Sequence, residues 1–381
     1  MTQSKAFWAI YISVGVSYLG VGLVAPLIAL VLRARGADPF IVGLVGTTMF
    51  AAFTLASFPA GKATDRLGPK PILIGGLVVY GVSILLFALI ENIPLFFIVR
   101  GVEGVGAAAI SVATETMISQ LSGPGERARR MSYYALSVGL GWAAGPISGT
   151  VLYSLRSGAP FVAGFALSLL AALLATLFIP RTRADDPHPE ARFSGVSSLI
   201  VVPLSAGALY GYLMSSLVTL IPIYLKAIAI EEREMGFIIT SVILGTLVSQ
   251  VPIGRAADRF GKRRTLLVCS IILAALFAAL PFCSDWRIFM LAGALTGAMA
   301  GSLYPVGLSI IGGIVSRDRL GAATSLFSLA FGIGSLVGPG LSGFAMNHLG
   351  NGWLFYLPSA LTALFCLEMI ALYQHTASRK R

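Results

Sequence analysis

Three ionisable residues, Arg100, Glu103 and Glu368, fall well inside long apolar stretches of this sequence. The other Lys, Arg, Asp and Glu residues, from a total of 27 basic and 16 acidic, gather at or near the ends of those stretches. A charge held in an apolar medium is costly, and it persists where it has work to do. Arg100 and Glu103 stand three residues apart, so on a helix they share a face and can pair. Counted from Pro94 at 1.5 Å per residue, they lie about 9 and about 13 Å along the helix, the second near the middle of a ~30 Å hydrocarbon layer. A carboxylate poised between burial and a neighbouring guanidinium is suited to taking up and releasing a proton. The plain alternative is a fixed pair that only orients its helix. Glu368 is expected to find a polar partner at the periphery.

Other chemistries lack their residues. Cys269, Cys283 and Cys366 have no metal-ligand spacing and read as small packing residues, so no metal is expected. There is no Gly-x-x-x-x-Gly-Lys-Ser/Thr phosphate loop and no nucleophile–base pair. No cofactor is expected, and an enzyme is disfavoured.

The elements that carry the three charges are membrane spans. The chain is 56% hydrophobic and 11% charged, where a soluble domain has about 25% charged residues. Twelve apolar segments read as transmembrane helices, at about 7–32, 40–61, 71–90, 94–117, 131–155, 159–180, 199–225, 236–254, 265–284, 288–314, 322–346 and 353–374. The first is too long for a signal-peptide core and is expected to remain as a helix. Gly61-Lys-Ala-Thr-Asp-Arg-Leu-Gly68 recurs as Gly254-Arg-Ala-Ala-Asp-Arg-Phe-Gly261, 193 positions on. The same offset joins Gly43 to Gly236, Gly104 to Gly297, Gly141 to Gly334 and Gly145-Pro146 to Gly338-Pro339. Landmarks in one register over half the length signify internal duplication. The expected fold is an all-α membrane protein of two pseudo-symmetric six-helix bundles, residues 1–180 and 199–381, joined by a linker at 181–198.

Basic residues set the orientation. With the N-terminus in the cytoplasm, 20 of the 27 Lys and Arg lie inside and six outside, so both termini are expected there. The net charge of +11 then belongs to clusters facing anionic lipid, with no nucleic acid as partner. A cell membrane, that of a prokaryote, is the expected location.

The repeated loop at 61–70 and 254–263 is similar to the signature loop of the major facilitator superfamily, with Pro69 where that family prefers a basic residue. Arg100-Gly-Val-Glu-Gly-Val-Gly106 resembles its fourth-helix motif, with Glu103 in place of an amide. Gly141-x-x-x-Gly145-Pro146-x-x-Gly149 resembles the motif of its drug:proton antiporters. The resemblance spans all twelve helices. It implies that Asp65, Arg66, Asp258 and Arg259 brace the cytoplasmic ends as a gate, with Glu115 as a partner for Arg66. The small-residue faces Gly141, Gly145 and Gly149, and Gly334 and Gly338, with bends at Pro146 and Pro339, are expected to form the seam between the halves. Peripheral helices 3, 6, 9 and 12 are implied to be supports.

Candidate cavity residues are Tyr18, Ser111, Trp142, Tyr210, Tyr212, Gln250 and Tyr304, with a bend expected at Tyr304-Pro305. Together they describe an aromatic, weakly polar chamber, a poor host for sugars or polyanions. The expectation is proton-coupled efflux of small lipophilic or amphipathic compounds by alternating access, by a monomer. The alternative is a lipid or lysolipid transporter that uses the single Arg for a headgroup.

Overall fold

The computed structural model describes residues 3–123, 126–180, 200–315 and 320–378, in which every regular element is helical. The expected linker at 181–198 lies outside the described residues. In chain order the helices are α1 Gln3–Ala34, α2 Pro39–Leu67, α3 Pro69–Leu89, α4 Ile93–Leu121, α5 Arg127–Leu155 and α6 Ala159–Phe178. They continue as α7 Val201–Ala227, α8 Glu232–Phe260, α9 Lys262–Ala279, α10 Trp286–Ala300, α11 Leu303–Ile314, α12 Leu320–Leu349 and α13 Trp353–Ser378. Among the described residues, twelve spans are long and apolar enough to cross a membrane, and α10 with α11 makes the tenth.

That tenth span is broken at Gly301-Ser302, just before the expected Tyr304-Pro305 bend. Pro305 has no N–H to give the Gly301 carbonyl, so the helix stops one turn upstream and restarts with Pro305 inside the first turn of α11, where proline is tolerated. The repeated loops also have a backbone cause. Gly68 and Gly261 precede α3 and α9 with φ of 82° and 93°, values that side chains disfavour. One turn earlier in the repeat, Gly36 has φ 85° while its counterpart Ala229 holds φ 61° despite its Cβ.

The chain divides into two compact units. The first holds Met1–Ala37, Leu44–His188 and Glu231–Thr240; the second holds Asp38–Gly43, Pro189–Ile230 and Ser241–Arg381. Each unit thus includes the first turns of a helix whose remainder belongs to the other.

In the first unit α1 lies along α5 and α6, and α3 along α4 and α6. In the second, α7 lies along α12 and α9 along α13, the same pairings one repeat later. Ser168 Oγ ties α6 to the Leu77 carbonyl of α3 at 2.8 Å, and Ser359 Oγ ties α13 to the Ala274 carbonyl of α9 at 2.8 Å.

The glycine faces do something other than expected. A Cβ on Gly141, Gly145 or Gly149 would strike the α1 backbone at Gly15, Gly22 or Leu23. One on Gly334 or Gly338 would meet Ala208 or Tyr212 of α7. The glycine faces are internal joints of each unit. Lipid tails do not drive helices together, so bare backbone is spent where two helices must come closest. The prolines beside these faces meet the borrowed helix turns: Pro146 faces Gly236 in the first unit and Pro339 faces Gly43 in the second. Thr240 Oγ1 adds a 2.8 Å bond to the Ala143 carbonyl.

Peripheral α6 shows the membrane pattern reversed from a soluble helix. It buries Gly164, Ser168, Ala171, Ala172 and Ala175 and exposes Val162, Leu169, Leu170, Leu173 and Leu177.

Candidate functional site

Two constellations emerge, one in each unit. In the first, α4 supplies four polar residues. Arg100 Nη1 donates to Glu103 Oε2 at 2.6 Å, with side-chain exposures of 9% and 2%. Phe87 lies under the guanidinium, 5.5 Å from ring centroid to Cζ, and Tyr80 of α3 bonds the Glu103 carboxylate. The pair is therefore sealed from solvent. Its Arg100 Nε is buried with no partner. Truncating one member of such a pair strands the other charge, which costs about 3–5 kcal/mol.

Twelve residues on, Glu115 is in a different setting. The residue is exposed, and its carboxylate accepts one bond, from Ser111 Oγ at 2.9 Å. Among the described residues it makes no ion pair with Arg66 or any other base. Tyr134 of α5 is hydrogen-bonded to both Ser111 and Tyr18 of α1, which brings three helices to the carboxylate's side.

In the second unit, Tyr210 of α7, Gln250 of α8, Gly301, Tyr304 and Pro305 of the broken span, and Phe331 of α12 line a cavity of about 360 Å³. Ligand pockets typically run from about 300 to about 1,000 Å³, so it falls at the small end of that range. Its rings contact one another. Centroids of Tyr210 and Tyr304 are 5.7 Å apart, those of Tyr304 and Phe331 5.6 Å, and Tyr304 meets Phe327 edge-on at 4.9 Å. Among the described residues, none that lines it is charged. Gln250 is exposed and makes no hydrogen bond to the described residues, so its amide is available to a ligand.

The structure thus gathers Tyr210, Gln250 and Tyr304 into one cavity, and Tyr18 and Ser111 around Glu115. Tyr212 belongs to neither. It is 5% exposed, and its hydroxyl bonds Ser342 Oγ at 2.6 Å, which passes the link to Ser216 at 3.1 Å; this polar tie holds α7 to α12. Trp142 is half-buried, and its backbone packs on Gly22 of α1. Asp65, Arg66, Asp258 and Arg259 are exposed and unpaired among the described residues, with the Arg259 guanidinium 5.3 Å from the Phe260 ring. Their basic neighbours are more occupied: Lys70 Nζ bonds the carbonyls of Thr176 in α6 and of Ile179 just past its end, at 2.8 and 2.6 Å, and Lys262 Nζ bonds the Ser309 carbonyl at 2.7 Å. Such a lysine neutralises the negative end of a helix. Glu368 accepts a 3.0 Å bond from Ser205, the kind of partner expected for it.

Sequence reading missed Tyr80, Tyr134 and Phe331. Tyr134 stood in view, seven residues before Gly141 and hence on the face that α1 covers. Phe331 had the analogous signal, three residues before Gly334.

Comparison with known proteins agrees with this architecture. The model of the Major Facilitator Superfamily matches twice, over residues 10–229 and 204–381. An uncharacterised MFS-type transporter of Bacillus subtilis, YfkF, is 27% identical over 360 residues, covering 92% of this chain and 91% of that protein. The class G tetracycline resistance protein of Vibrio anguillarum is 27% identical over 392 residues, covering 97% of each. Among solved structures, a bacterial homologue of the human lysosomal transporter Spinster, inward-facing and occupied, superposes with a TM-score of 0.78 at 16% identity, over 99% of this chain and 97% of that one. The nucleoside transporter NupG, as its D323A mutant, gives 0.76 at 14% identity, over 96% of this chain and 100% of that one. At those identities the structures speak to fold alone. With the family matched over nearly the whole length and twelve membrane-length apolar helices among the described residues, the chain belongs to the Major Facilitator Superfamily, as a multi-pass membrane transporter and not an enzyme.

Proposed function

We propose that this protein exports small lipophilic or amphipathic organic compounds across the cytoplasmic membrane of a bacterium, in exchange for protons, by alternating access of its two bundles. The observation that carries the reading is the cavity of the second unit: aromatic on most sides, without charge, and with one unoccupied amide. Such a lining suits planar apolar compounds and rejects sugars and phosphates, which need several polar or cationic partners. Similarity to a tetracycline resistance protein supports export of that class.

In this reading both termini face the cytoplasm, and Asp65, Arg66, Asp258 and Arg259 brace the basic loops when the transporter opens outward. Glu103 with Arg100 carries a coupling proton, which requires the sealed pair to open during the cycle. The lipid alternative is the weaker one, because the arginine it needs for a headgroup is 7% exposed and held by Glu103.

The test uses everted vesicles with an imposed proton gradient and tetracycline as probe. Addition of the probe is expected to dissipate the gradient in vesicles carrying the protein and not in empty ones. Tyr304→Ala should weaken the apparent affinity about 3- to 10-fold, the value of a lost ring pair, while Tyr304→Phe stays near wild type. Gradient dissipation by no member of a panel of lipophilic probes would overturn the proposal.

A further inference from the structure

The backbone carbonyls near the end of α10 find donors nearby, and the exception is at the cavity wall. A helix leaves its last carbonyls without partners of its own. Here the Gly297 carbonyl accepts the Gly301 N–H and the Thr246 hydroxyl of α8, both at 2.9 Å. Ser249 Oγ, three residues further along α8, donates to the Ala298 carbonyl at 3.0 Å. The Met299 carbonyl takes the N–H and the hydroxyl of Ser302, at 3.2 and 2.6 Å. The Gly301 carbonyl accepts no bond from the described residues, although Gly301 is buried. Its partner in a continuous helix would be the N–H of residue 305, and proline has none. Gly301 and Pro305 both line the cavity of the second unit.

We propose that the Gly301 carbonyl is the cavity's acceptor for a substrate hydrogen, and that the cargo is accordingly the class of planar aromatic compounds carrying an N–H or O–H on the ring edge. The inference rests on the transport reading above and narrows its substrate class.

A buried carbonyl without a donor is costly, and protein interiors rarely leave one so. Beside a cavity the donor comes from whatever fills the space. The side chains of the wall impose no such choice. The Gln250 amide holds an acceptor and two donors, and the Tyr210 and Tyr304 hydroxyls turn to suit either kind of partner. A carbonyl can only accept, so it discriminates where they do not. A ligand with a donor replaces the bond that water would make to this oxygen. A ligand of the same shape without one displaces the water and leaves the oxygen bare.

The rings make a second, compatible demand. Tyr210, Tyr304 and Phe331 stand with centroids 5.6 to 5.9 Å apart, and aromatic rings favour offset or edge-to-face contact with a flat ligand. A ring N–H or phenolic O–H points outward in the plane of its ring. Contact with the rings and the bond to the carbonyl therefore do not compete for the same part of the ligand.

The experiment measures binding to the full-length protein in detergent by equilibrium dialysis, with empty micelles as the blank. Carbazole and dibenzofuran are the probes, planar compounds of nearly equal shape with N–H in one where the other has a ring oxygen. Wild type is expected to prefer carbazole about 3- to 10-fold, the value of one hydrogen bond. Pro305→Ala supplies the missing N–H and ties the Gly301 carbonyl into the helix, so the preference should vanish. Tyr210→Phe, Tyr304→Phe and Gln250→Leu each remove a side-chain acceptor; each should move both affinities together and keep their ratio. Binding of neither probe, equal binding of both by wild type, or a preference that survives in a folded Pro305→Ala protein overturns the proposal. So does a preference lost in any of the three side-chain variants. Should Pro305→Ala fail to fold, those three decide by elimination, since a ratio that survives all of them leaves the backbone oxygen as the acceptor. If lipophilic probes dissipate the gradient in vesicles while wild type binds carbazole and dibenzofuran alike, this inference falls and the transport reading stands. If the preference depends on Pro305 and no probe dissipates the gradient, the acceptor stands and the transport reading falls.

Discussion

The two halves of the duplication share their joints and differ in their chemistry. Gly104 lets α4 approach α2 as Gly297 lets α10 approach α8, and the ridge of α5 sits on α1 as that of α12 sits on α7. At the candidate functional positions the same offset gives contrasting residues. Arg100 and Glu103 correspond to Gly293 and Thr296, and Glu115 corresponds to Leu308. Ser111 and Tyr134, hydrogen-bonded in the first unit, correspond to Tyr304 and Phe327, which meet ring edge to ring face at 4.9 Å in the second. One copy became the charged half and the other the aromatic half. Duplication thus separates two constraints: close backbone approach admits only the smallest residues, whereas a cavity wall admits anything that fills its volume.

The largest expected break in this comparison is at the buried pair, which the second unit lacks. Glu103→Gln leaves Arg100 buried and uncompensated, and should cost about 3–5 kcal/mol, read as a lower melting temperature in detergent. Replacing both members, Arg100→Leu with Glu103→Leu, should restore most of the loss. If the pair carries the coupling proton, the restored protein folds and no longer transports against a proton gradient. Undiminished gradient-driven transport by the double variant would reduce the pair to a fixture of the first unit.

A middle-sized effect tests the shared joints. Gly145→Leu and Gly338→Leu, equivalent positions of the two repeats, each force a side chain into the facing helix, and overpacking of this kind costs about 1–3 kcal/mol, sometimes more. Both variants should melt earlier, by similar amounts, with Ala144→Leu as an exposed control beside the first. One variant melting like wild type would mean that the repeats are not joined alike.

The smallest effect concerns the left-handed turn at Gly36 and Ala229. A side chain in that conformation costs about 1–2 kcal/mol, from which glycine's extra freedom in the unfolded chain subtracts about 0.5–1 kcal/mol. Ala229→Gly should therefore raise stability by up to about 1 kcal/mol, and Gly36→Ala should lower it by a similar amount. A stabilising Gly36→Ala would contradict the shared turn.

Much of this fold was legible in the sequence, because a membrane span has a length and a polarity that leave few alternatives. The repeat, the loops at Gly68 and Gly261, and the pairing capacity of Arg100 with Glu103 all had local signatures. What the small residues touch did not. Gly141, Gly145 and Gly149 announce a close contact, but the pattern carries no address for the partner, and α1 was as compatible with it as any helix of the other half. Tyr212 shows the same difficulty at a single side chain: aromatic and polar-tipped, it suits a cavity or a hydrogen-bonded joint equally, and the position of Ser342 decides. Glu115 was expected beside Arg66, since opposite charges at one end of a bundle invite pairing; the hydroxyl of Ser111, one turn away, already serves it. The break of the tenth span was visible in Pro305, yet its position was not, because the helix fails where the proline's missing donor is needed, one turn upstream.

That break has a bearing on how such a protein could change under selection. Gly301 sits on the cavity wall, and Pro305 withholds the donor its carbonyl would otherwise meet. A backbone acceptor is the same whichever residues surround it, and at 301 a Cβ would press on Thr246 of α8 at 2.8 Å, so glycine is the residue that fits there. The aromatic rings can be exchanged one codon at a time, and the range of cargo can drift with them. The peptide oxygen stays through that drift, and only the loss of Pro305 would return it to the helix.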